Sequence, residues 1–159
     1  YLIRVFAAIY QRDSRFKLIF IGDGKDGTDI RLWAQDKPGY ENIMFYGRTN
    51  LVGDLLNALD IYIMPSNFEG FPVSAVEAQV NGLPCILSDC ITREVGFLRN
   101  TVFWDIREKP YVWAKKLIEY AESNLGQKRE EGLEIAKDNH FDIHQTAMDI
   151  LSLYKQRWV

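Results

Sequence analysis

Two carboxylates, Glu69 and Glu77, lie eight positions apart in the stretch SNFEGFPVSAVEAQVNGLP, residues 66–84. Between them come Gly70, Pro72 and the start of a helical pattern. One carboxylate can accept hydrogen bonds from two hydroxyls, a common way to hold a sugar. A helix that starts at Pro72 leaves the backbone N–H groups of Phe71, Val73 and Ser74 without intrahelical acceptors, an arrangement suited to phosphate. Gly70 brings no Cβ between backbone and ligand. Pro72 at the first helical position and Gly82 just past the end give the expected asymmetry of a helix. At about 100° per residue, Glu77 borders the stripe of Val73, Val76 and Val80, the side expected to face the core. Ser74, Ala75 and Ala78 cover the other side. A carboxylate buried there without a partner is costly. At the mouth of a cleft it could meet polar ligand groups, near the positive end of the helix. A ligand with a sugar at Glu69, phosphate at the helix start and a ribose at Glu77 is a nucleotide sugar. The plain alternative makes Glu69 a loop or capping carboxylate and Glu77 a partly exposed residue paired with an arginine.

Gly22, Gly24 and Gly27 form a second candidate, G-x-G-x-x-G between a strand and a helix. A dinucleotide site also needs an acid about 20 positions on, at the end of the next strand. That strand ends at Tyr46, Gly47 and Arg48, and Glu41 precedes it. NAD binding is therefore set aside. Two readings stay open: a tight turn, or a turn that lines a phosphate-containing ligand.

The elements that must carry these residues alternate. FKLIFIG, NIMFYG, DIYIMPS and PCILSD read as strands, the first as a buried parallel strand, with TVFWD a weaker fifth. YLIRVFAAIYQ, GTDIRLWAQD, NLVGDLLNAL (capped by Asn50) and PVSAVEAQVNG read as helices. After Pro110 the pattern is wholly helical. This order predicts an α/β fold, a Rossmann-like doubly wound parallel sheet with a helical C-terminal segment. In such sheets ligands sit beyond the carboxyl ends of strands, where GDGKDG and SNFEGFP fall. The last helix, with Ile143, Met148, Ile150, Leu151 and Tyr154, is expected to pack at the domain's edge. His140 and His144 read as loop and helix-surface residues. Trp33, Trp104, Trp113 and Trp158 read as packing residues.

Composition narrows the class. The 159 residues suit one domain, read as residues 1–159, and can bury a core without staples. A net charge of −3 gives no reason to expect nucleic acid or an anionic membrane as the main partner. Cys85 and Cys90 fit no metal spacing, only two histidines are present, and no metal site is expected. The cysteines read as reduced thiols, in a cytoplasmic protein. The chain opens at Tyr1 inside an amphipathic pattern, so it reads as part of something longer.

The stretch SNFEGFPVSAVEAQVNGLPCILSD closely resembles the signature of the retaining, group 1 (family 4) glycosyltransferases: two glutamates eight apart, then small-G-x-P, a strand and S/T-D. LIFIGDG, IMFYGR and LLNALDIYIMPS agree in order, so the resemblance covers Phe16 to Asp89 well. Its details, with PCILSDCITREV, look most like bacterial capsular and exopolysaccharide enzymes. The resemblance implies the C-terminal, donor-binding half of a two-domain GT-B fold. It implies that the acceptor-binding half, the first strand and an Arg/Lys pair precede Tyr1. It makes Glu69 the catalytic candidate, which orients the donor sugar and does not attack it. Gly70, Phe71, Pro72 and Val73 would border the sugar and diphosphate, and Glu77 would bind the ribose. Gly22, Asp23 and Gly24 would lie near the diphosphate, with Lys25, where relatives often have proline, as a further cation. Tyr46, Gly47 and Arg48 would lie near the base.

No cofactor is implied beyond the substrate, with a UDP-sugar expected. The acceptor would be a glycan or lipid-linked glycan reached through the missing half. The implied chemistry is retention by front-side attack without metal, at the cytoplasmic face of the membrane or free in the cytoplasm, with peripheral membrane association of the longer enzyme. These residues alone are expected to be inactive. The alternatives are a non-catalytic nucleotide-sugar-binding or regulatory module and an unrelated phosphate-binding α/β domain such as an epimerase.

Overall fold

A computed structural model describes residues 1–24, 27–126, 129 and 131–157. Lys25 and Trp158 lie outside the described residues. The chain forms two compact units, Tyr1–Leu55 with Asp105–Gln127, and Leu56–Trp104 with Lys128–Val159. The expected strands all form and all pair in parallel, in one ladder of two strands and one of three.

In the first unit, helix α1 (Leu2–Tyr10) buries Ile3, Val5, Phe6 and Ile9, the apolar face that its spacing predicts. It packs on α5 (Pro110–Asn124), which starts at a proline and buries Trp113, Ala114, Leu117 and Ala121. Trp113 is wholly buried, and its indole N–H donates to the Asp105 carbonyl over 2.9 Å. The Tyr1 ring meets it edge-on at 5.6 Å, a favoured aromatic geometry.

Strand β1 (Leu18–Ile21) pairs with β2 (Ile43–Gly47), and α2 (Gly27–Ala34) follows β1. β1 is half-buried along its length, not buried as its apolar run suggests. The reason is that β2 is its one ladder partner among the described residues, so one edge stays uncovered there. Phe20 stacks on Phe45 at 5.1 Å, and the Arg31 guanidinium lies 5.0 Å above the Phe45 ring.

Helix α3 (Val52–Ala58) begins later than an Asn50 cap would place it. Leu51, whose N–H donates to the Thr49 hydroxyl, is the residue before it. Its first helical bond runs from Leu55 N–H to Leu51 O. A branched side chain at 51 offers no acceptor, so the threonine hydroxyl serves the chain just before the helix.

The second unit is built on β3 (Tyr62–Met64), β4 (Cys85–Ser88) and β5 (Thr101–Trp104), in that spatial order. β4 is central and wholly buried. That burial pushes the Cys85 thiol well above its usual range by desolvation, whereas Cys90, past the strand end, is exposed. In the native protein at pH 8, iodoacetamide should therefore label Cys90 and leave Cys85 unmodified until the chain is unfolded. Mass spectrometry of the alkylated peptides checks this, and equal labelling of both would contradict the burial.

Helix α4 (Val73–Val80) lies in that unit against β3, β4 and α6 (Gly132–Asp138). Its buried residues are Ala75, Ala78 and Gln79, with Pro72 before them and Gly82 after. The valine stripe is not the core face. Val76 and Val80 are half-buried and Val73 is 64% exposed. Fit, not hydrophobicity, decides this. A Cβ on Gly132 would come 2.0 Å from the Gln79 carbonyl oxygen and 2.7 Å from that of Val80. Two backbones that close leave room for alanine and glycine, not for valine.

Arg129 ties the same unit together. Its guanidinium donates to the carbonyls of Leu56 at 3.2 Å and Asn57 at 3.1 Å, to that of Leu59, and to the Asn81 side chain. These are the acceptors that the end of a helix leaves open, and a cation there also suits the helix dipole.

After α6, the final helix α7 (Ile143–Arg157) carries Ile143, Met148, Ile150, Leu151, Leu153 and Tyr154 exposed. The expected packing of this face is not seen within the described residues. His140 sits in the turn before α7 and His144 in its first turn, both exposed, as read from the sequence. Among the described residues no helix is long and apolar enough to cross a membrane.

Candidate functional site

The residues after β3 and the start of α4 bring half of the sequence candidates together: Glu69, Gly70, Phe71, Pro72, Val73 and Glu77. β3 ends before Pro65, which cannot extend a ladder. The next residue, Ser66, is tied to the end of β4: the buried Ser88 hydroxyl donates to the Ser66 carbonyl. The Ser66 hydroxyl in turn donates to Glu69 Oε1 over 3.1 Å. Two serines at the carboxyl ends of neighbouring parallel strands thus hold a half-buried Glu69, which keeps its second oxygen for another partner.

Gly70 follows. A Cβ there would meet nothing within 4 Å, and the residue has no left-handed φ. Neither packing nor backbone geometry calls for glycine, so the open space in front of it is the feature that a side chain would fill.

Pro72 is the N-cap of α4, with φ −77° and ψ 98°, so the helix starts one residue later than read from the sequence. Proline fixes φ but its extended ψ keeps it outside the helix. Its carbonyl accepts from Ala75 N–H at 3.0 Å and Val76 N–H at 3.4 Å. Among the described residues the N–H groups of Val73 and Ser74 have no backbone acceptor, and no side chain caps the helix. They form an open pair of donors at its positive end.

Glu77 is exposed, on the same side as the exposed Val73 and Ser74. Their adjacency follows from helical spacing; that this side faces outward does not. Among the described residues no lysine or arginine pairs with Glu77. An outward carboxylate without a basic partner among the described residues, about one turn from open N–H groups, is placed to accept hydroxyls.

Sequence reasoning missed Tyr62, and at Ser74 it pointed to the backbone N–H and missed the hydroxyl. The Tyr62 and Ser74 hydroxyls lie 2.9 Å apart, joining β3 to the first turn of α4. Burial pushes the Tyr62 phenol up to about 12; the bond to Ser74 opposes this, and the nearby charges of Cys85, Glu69 and Glu77 add to it. Tyr62 therefore stays a neutral phenol at physiological pH, and it lies within electrostatic reach of both glutamates. Period-two alternation could have marked Tyr62 as facing α4, but nothing local identifies its partner. Gln79 was missed as well. It is a wholly buried polar side chain behind the site, as Ser88 is, and it bonds to five groups.

In the first unit, Gly22 and Gly47 adjoin. The register between β1 and β2 shifts after Phe20 so that Ile21 pairs with Gly47, and Gly22 N–H donates to the Gly47 carbonyl over 2.9 Å. Both glycines have left-handed φ, 127° and 82°, which a side chain would strain. The two segments Gly22–Gly24 and Tyr46–Arg48, far apart in sequence, thus leave neighbouring strands side by side. Tyr46 is exposed and Arg48 half-buried. Lys25, the further cation read from the sequence, lies outside the described residues.

Comparison with known proteins bears on this arrangement. Residues 1–139 match the family described as glycosyl transferases group 1. The chain is 32% identical over 155 residues to EpsF of Bacillus subtilis (strain 168), covering 97% of this chain and 40% of that protein. It is 33% identical over 72 residues to an Escherichia coli UDP-Gal:alpha-D-GlcNAc-diphosphoundecaprenol alpha-1,3-galactosyltransferase, covering 45% of this chain and 19% of that one. Among solved structures it resembles a mutant of S. aureus TarM, crystallised in complex with Fondaparinux, alpha-GlcNAc-glycerol and UDP. There the TM-score is 0.73 at 19% identity, over 98% of this chain and 31% of that one. The chain thus spans less than half the length of these proteins. Its parallel strands, flanking helices and helical end are those of a GT-B enzyme. With the family signature running through β3, the Glu69 loop and α4, the chain belongs to the group 1 glycosyltransferases.

Proposed function

We propose that this chain supplies the nucleotide-sugar-binding part of a retaining glycosyltransferase that adds a sugar to a glycan or lipid-linked acceptor during surface polysaccharide synthesis. The observation that carries the reading is the state of the Glu69–Glu77 segment. Among the described residues one carboxylate is braced by serines, the other is exposed without a cation, and two N–H groups without a backbone acceptor lie between them beside an uncrowded glycine. Such a surface accepts hydroxyls at its two ends and an anion in its middle. UDP is the expected nucleotide, and the similarity to a diphosphoundecaprenol galactosyltransferase and to a Vi polysaccharide biosynthesis protein supports the acceptor class.

In transfer, the bond from the anomeric carbon to the phosphate oxygen breaks. Negative charge gathers on the departing diphosphate and positive charge on the sugar ring. The N–H groups of Val73 and Ser74 would meet the growing negative charge, as preorganised donors do in acyl and phosphoryl transfer. Glu69 would fix the sugar through its hydroxyls while an acceptor hydroxyl attacks from the face the diphosphate leaves. Glu77 would hold the ribose. None of these roles calls for a metal ion.

Calorimetric titration of the full-length enzyme with UDP, GDP and their sugars tests the assignment. Glu77→Ala should weaken the bare nucleotide by about tenfold, the worth of one charge-assisted hydrogen bond. Glu69→Ala should leave the bare nucleotide unchanged and weaken only the sugar form. Unchanged binding in both variants would show that the glutamates are ordinary loop and helix residues.

A further inference from the structure

Phe71 stands between Gly70 and the cap Pro72, in the middle of the proposed donor segment, yet it is 47% exposed. Its ring has one aromatic neighbour among the described residues, Phe141, at 6.1 Å between centroids and 30° between planes. Phe141 in turn lies 4.9 Å from Phe97. Phe71 and Phe141 stand far apart in the sequence, so this contact is a product of the fold alone.

The backbone that carries Phe141 is pinned on both sides. Its own N–H donates to the Ala136 carbonyl over 3.0 Å. His140 before it has φ 64°, an uncommon conformation for a residue with a Cβ. Asp142 after it caps α7, its Oδ1 accepting from His144 N–H at 2.7 Å and Gln145 N–H at 3.2 Å. The Thr146 hydroxyl closes the turn on the Asp142 carbonyl at 2.9 Å. The ring, by contrast, borders a cavity of about 250 Å³ that is also lined by Val80, Leu133, Ala136 and Ile143. A rigid turn thus presents one ring to a half-exposed loop.

We propose that Phe141 is a positioning residue for donor binding. By holding the Phe71 ring, it fixes the Glu69–Val73 segment in the orientation that presents Glu69 and the open N–H groups. The contact buries little, since Phe71 stays half-exposed, so its main consequence is order in the segment and not stability of the unit. This inference rests on the reading of Glu69–Val73 as the donor segment.

The test uses the full-length enzyme, with UDP and GDP as probes and the thermal midpoint recorded alongside. Phe141→Ala should weaken the bound nucleotide about three- to tenfold, the usual worth of an aromatic pair. Phe141→Tyr, which keeps the ring, should bind within about twofold of wild type, the level of experimental scatter. Leu133→Ala truncates another side chain of the cavity wall, one that is 53% exposed and has no ring to set against Phe71. It should leave affinity unchanged. Phe71→Ala, at a half-exposed site that tolerates truncation, should show the same loss as Phe141→Ala, and the double variant should lose no more than either. Equal affinities for Phe141→Ala and Leu133→Ala, or additive losses in the double variant, would overturn the proposal. Glu77→Ala in the same titration separates the two readings. If it weakens the nucleotide and Phe141→Ala does not, only the role of Phe141 fails. If Glu77→Ala binds like wild type, or neither nucleotide binds the wild type, the donor site itself is wrong and this inference goes with it.

Discussion

Glu69→Ala in the full-length enzyme is expected to lower kcat/KM by about a hundredfold, near 3 kcal/mol of transition-state stabilisation. The size follows from the geometry. Glu69 Oε1 is held by Ser66, whose carbonyl is held by Ser88, and the remaining oxygen is left for hydroxyls of a bound sugar. Each hydrogen bond to a charged group contributes about 1.5–3 kcal/mol, and truncation removes one or two of them. Glu69→Gln keeps an acceptor and the shape, so it should lose only about tenfold. The same measurement decides whether the carboxylate orients or attacks. Removal of a nucleophile costs about a millionfold in kcat, far beyond what loss of positioning can produce. A residual rate near about 1% assigns Glu69 to orientation. A rate below about one part in a hundred thousand would make it the nucleophile and overturn the front-side mechanism. Ser66→Ala should reproduce a small part of the loss, because it frees Glu69 without removing it.

Gln79→Met is expected to destabilise this 159-residue chain by about 4 kcal/mol, and so to lower its thermal midpoint by about 10 °C. Gln79 is wholly buried, and each end of its amide is used. The Nε2 donates to the carbonyls of Ala75 at 3.1 Å and Val95 at 2.8 Å. The Oε1 accepts from Phe97 N–H at 2.9 Å, Leu98 N–H at 3.2 Å and the Thr101 hydroxyl at 2.9 Å. Methionine keeps the volume and removes the Gln79 partner of the buried Val95 carbonyl and Leu98 N–H and of the part-buried Phe97 N–H and Thr101 hydroxyl, at about 1–3 kcal/mol for each fully buried group before relaxation. Four of the five belong to residues 95–101, the segment leading into β5, so that segment should loosen first. Gln79→Glu separates packing from hydrogen bonding. Its carboxylate would face two carbonyls in place of the amide donor, so it should be worse than methionine at neutral pH. Burial disfavours the charged form and raises the pKa, so that variant should regain stability as the pH falls and a carboxylic O–H replaces the lost donor. Thermal unfolding of the wild type and both variants from about pH 5 to 8 reads this directly. A Gln79→Met midpoint within about 2 °C of wild type would mean that water or relaxation satisfies the network.

The sequence by itself determined the order and kind of the elements. Five short apolar runs with helices between the first four meant parallel strands, and all five pair in parallel. The proline and glycine around α4 marked its ends to within one residue. The Glu69–Glu77 spacing set both carboxylates at the start of that helix. These features are local: periodicity, turn chemistry and caps depend on residues a few positions apart.

The tertiary structure decided which faces are used. The valines of α4 looked like its core side, yet Ala75, Ala78 and Gln79 are buried: α6 comes close at Gly132, and the Gln79 amide turns inward to bond residues 95–101. β1 looked buried and is not, because β2 is its one ladder partner among the described residues. Gly22 meets Gly47 through a shift in register, and Ser66 meets Ser88 across neighbouring strand ends, each between residues more than twenty positions apart. Tyr62 and Gln79 are polar side chains whose partners lie on other elements. Apolar spacing states how much surface an element must hide. Only close packing against particular neighbours decides where it hides it, and so which polar groups are left to act.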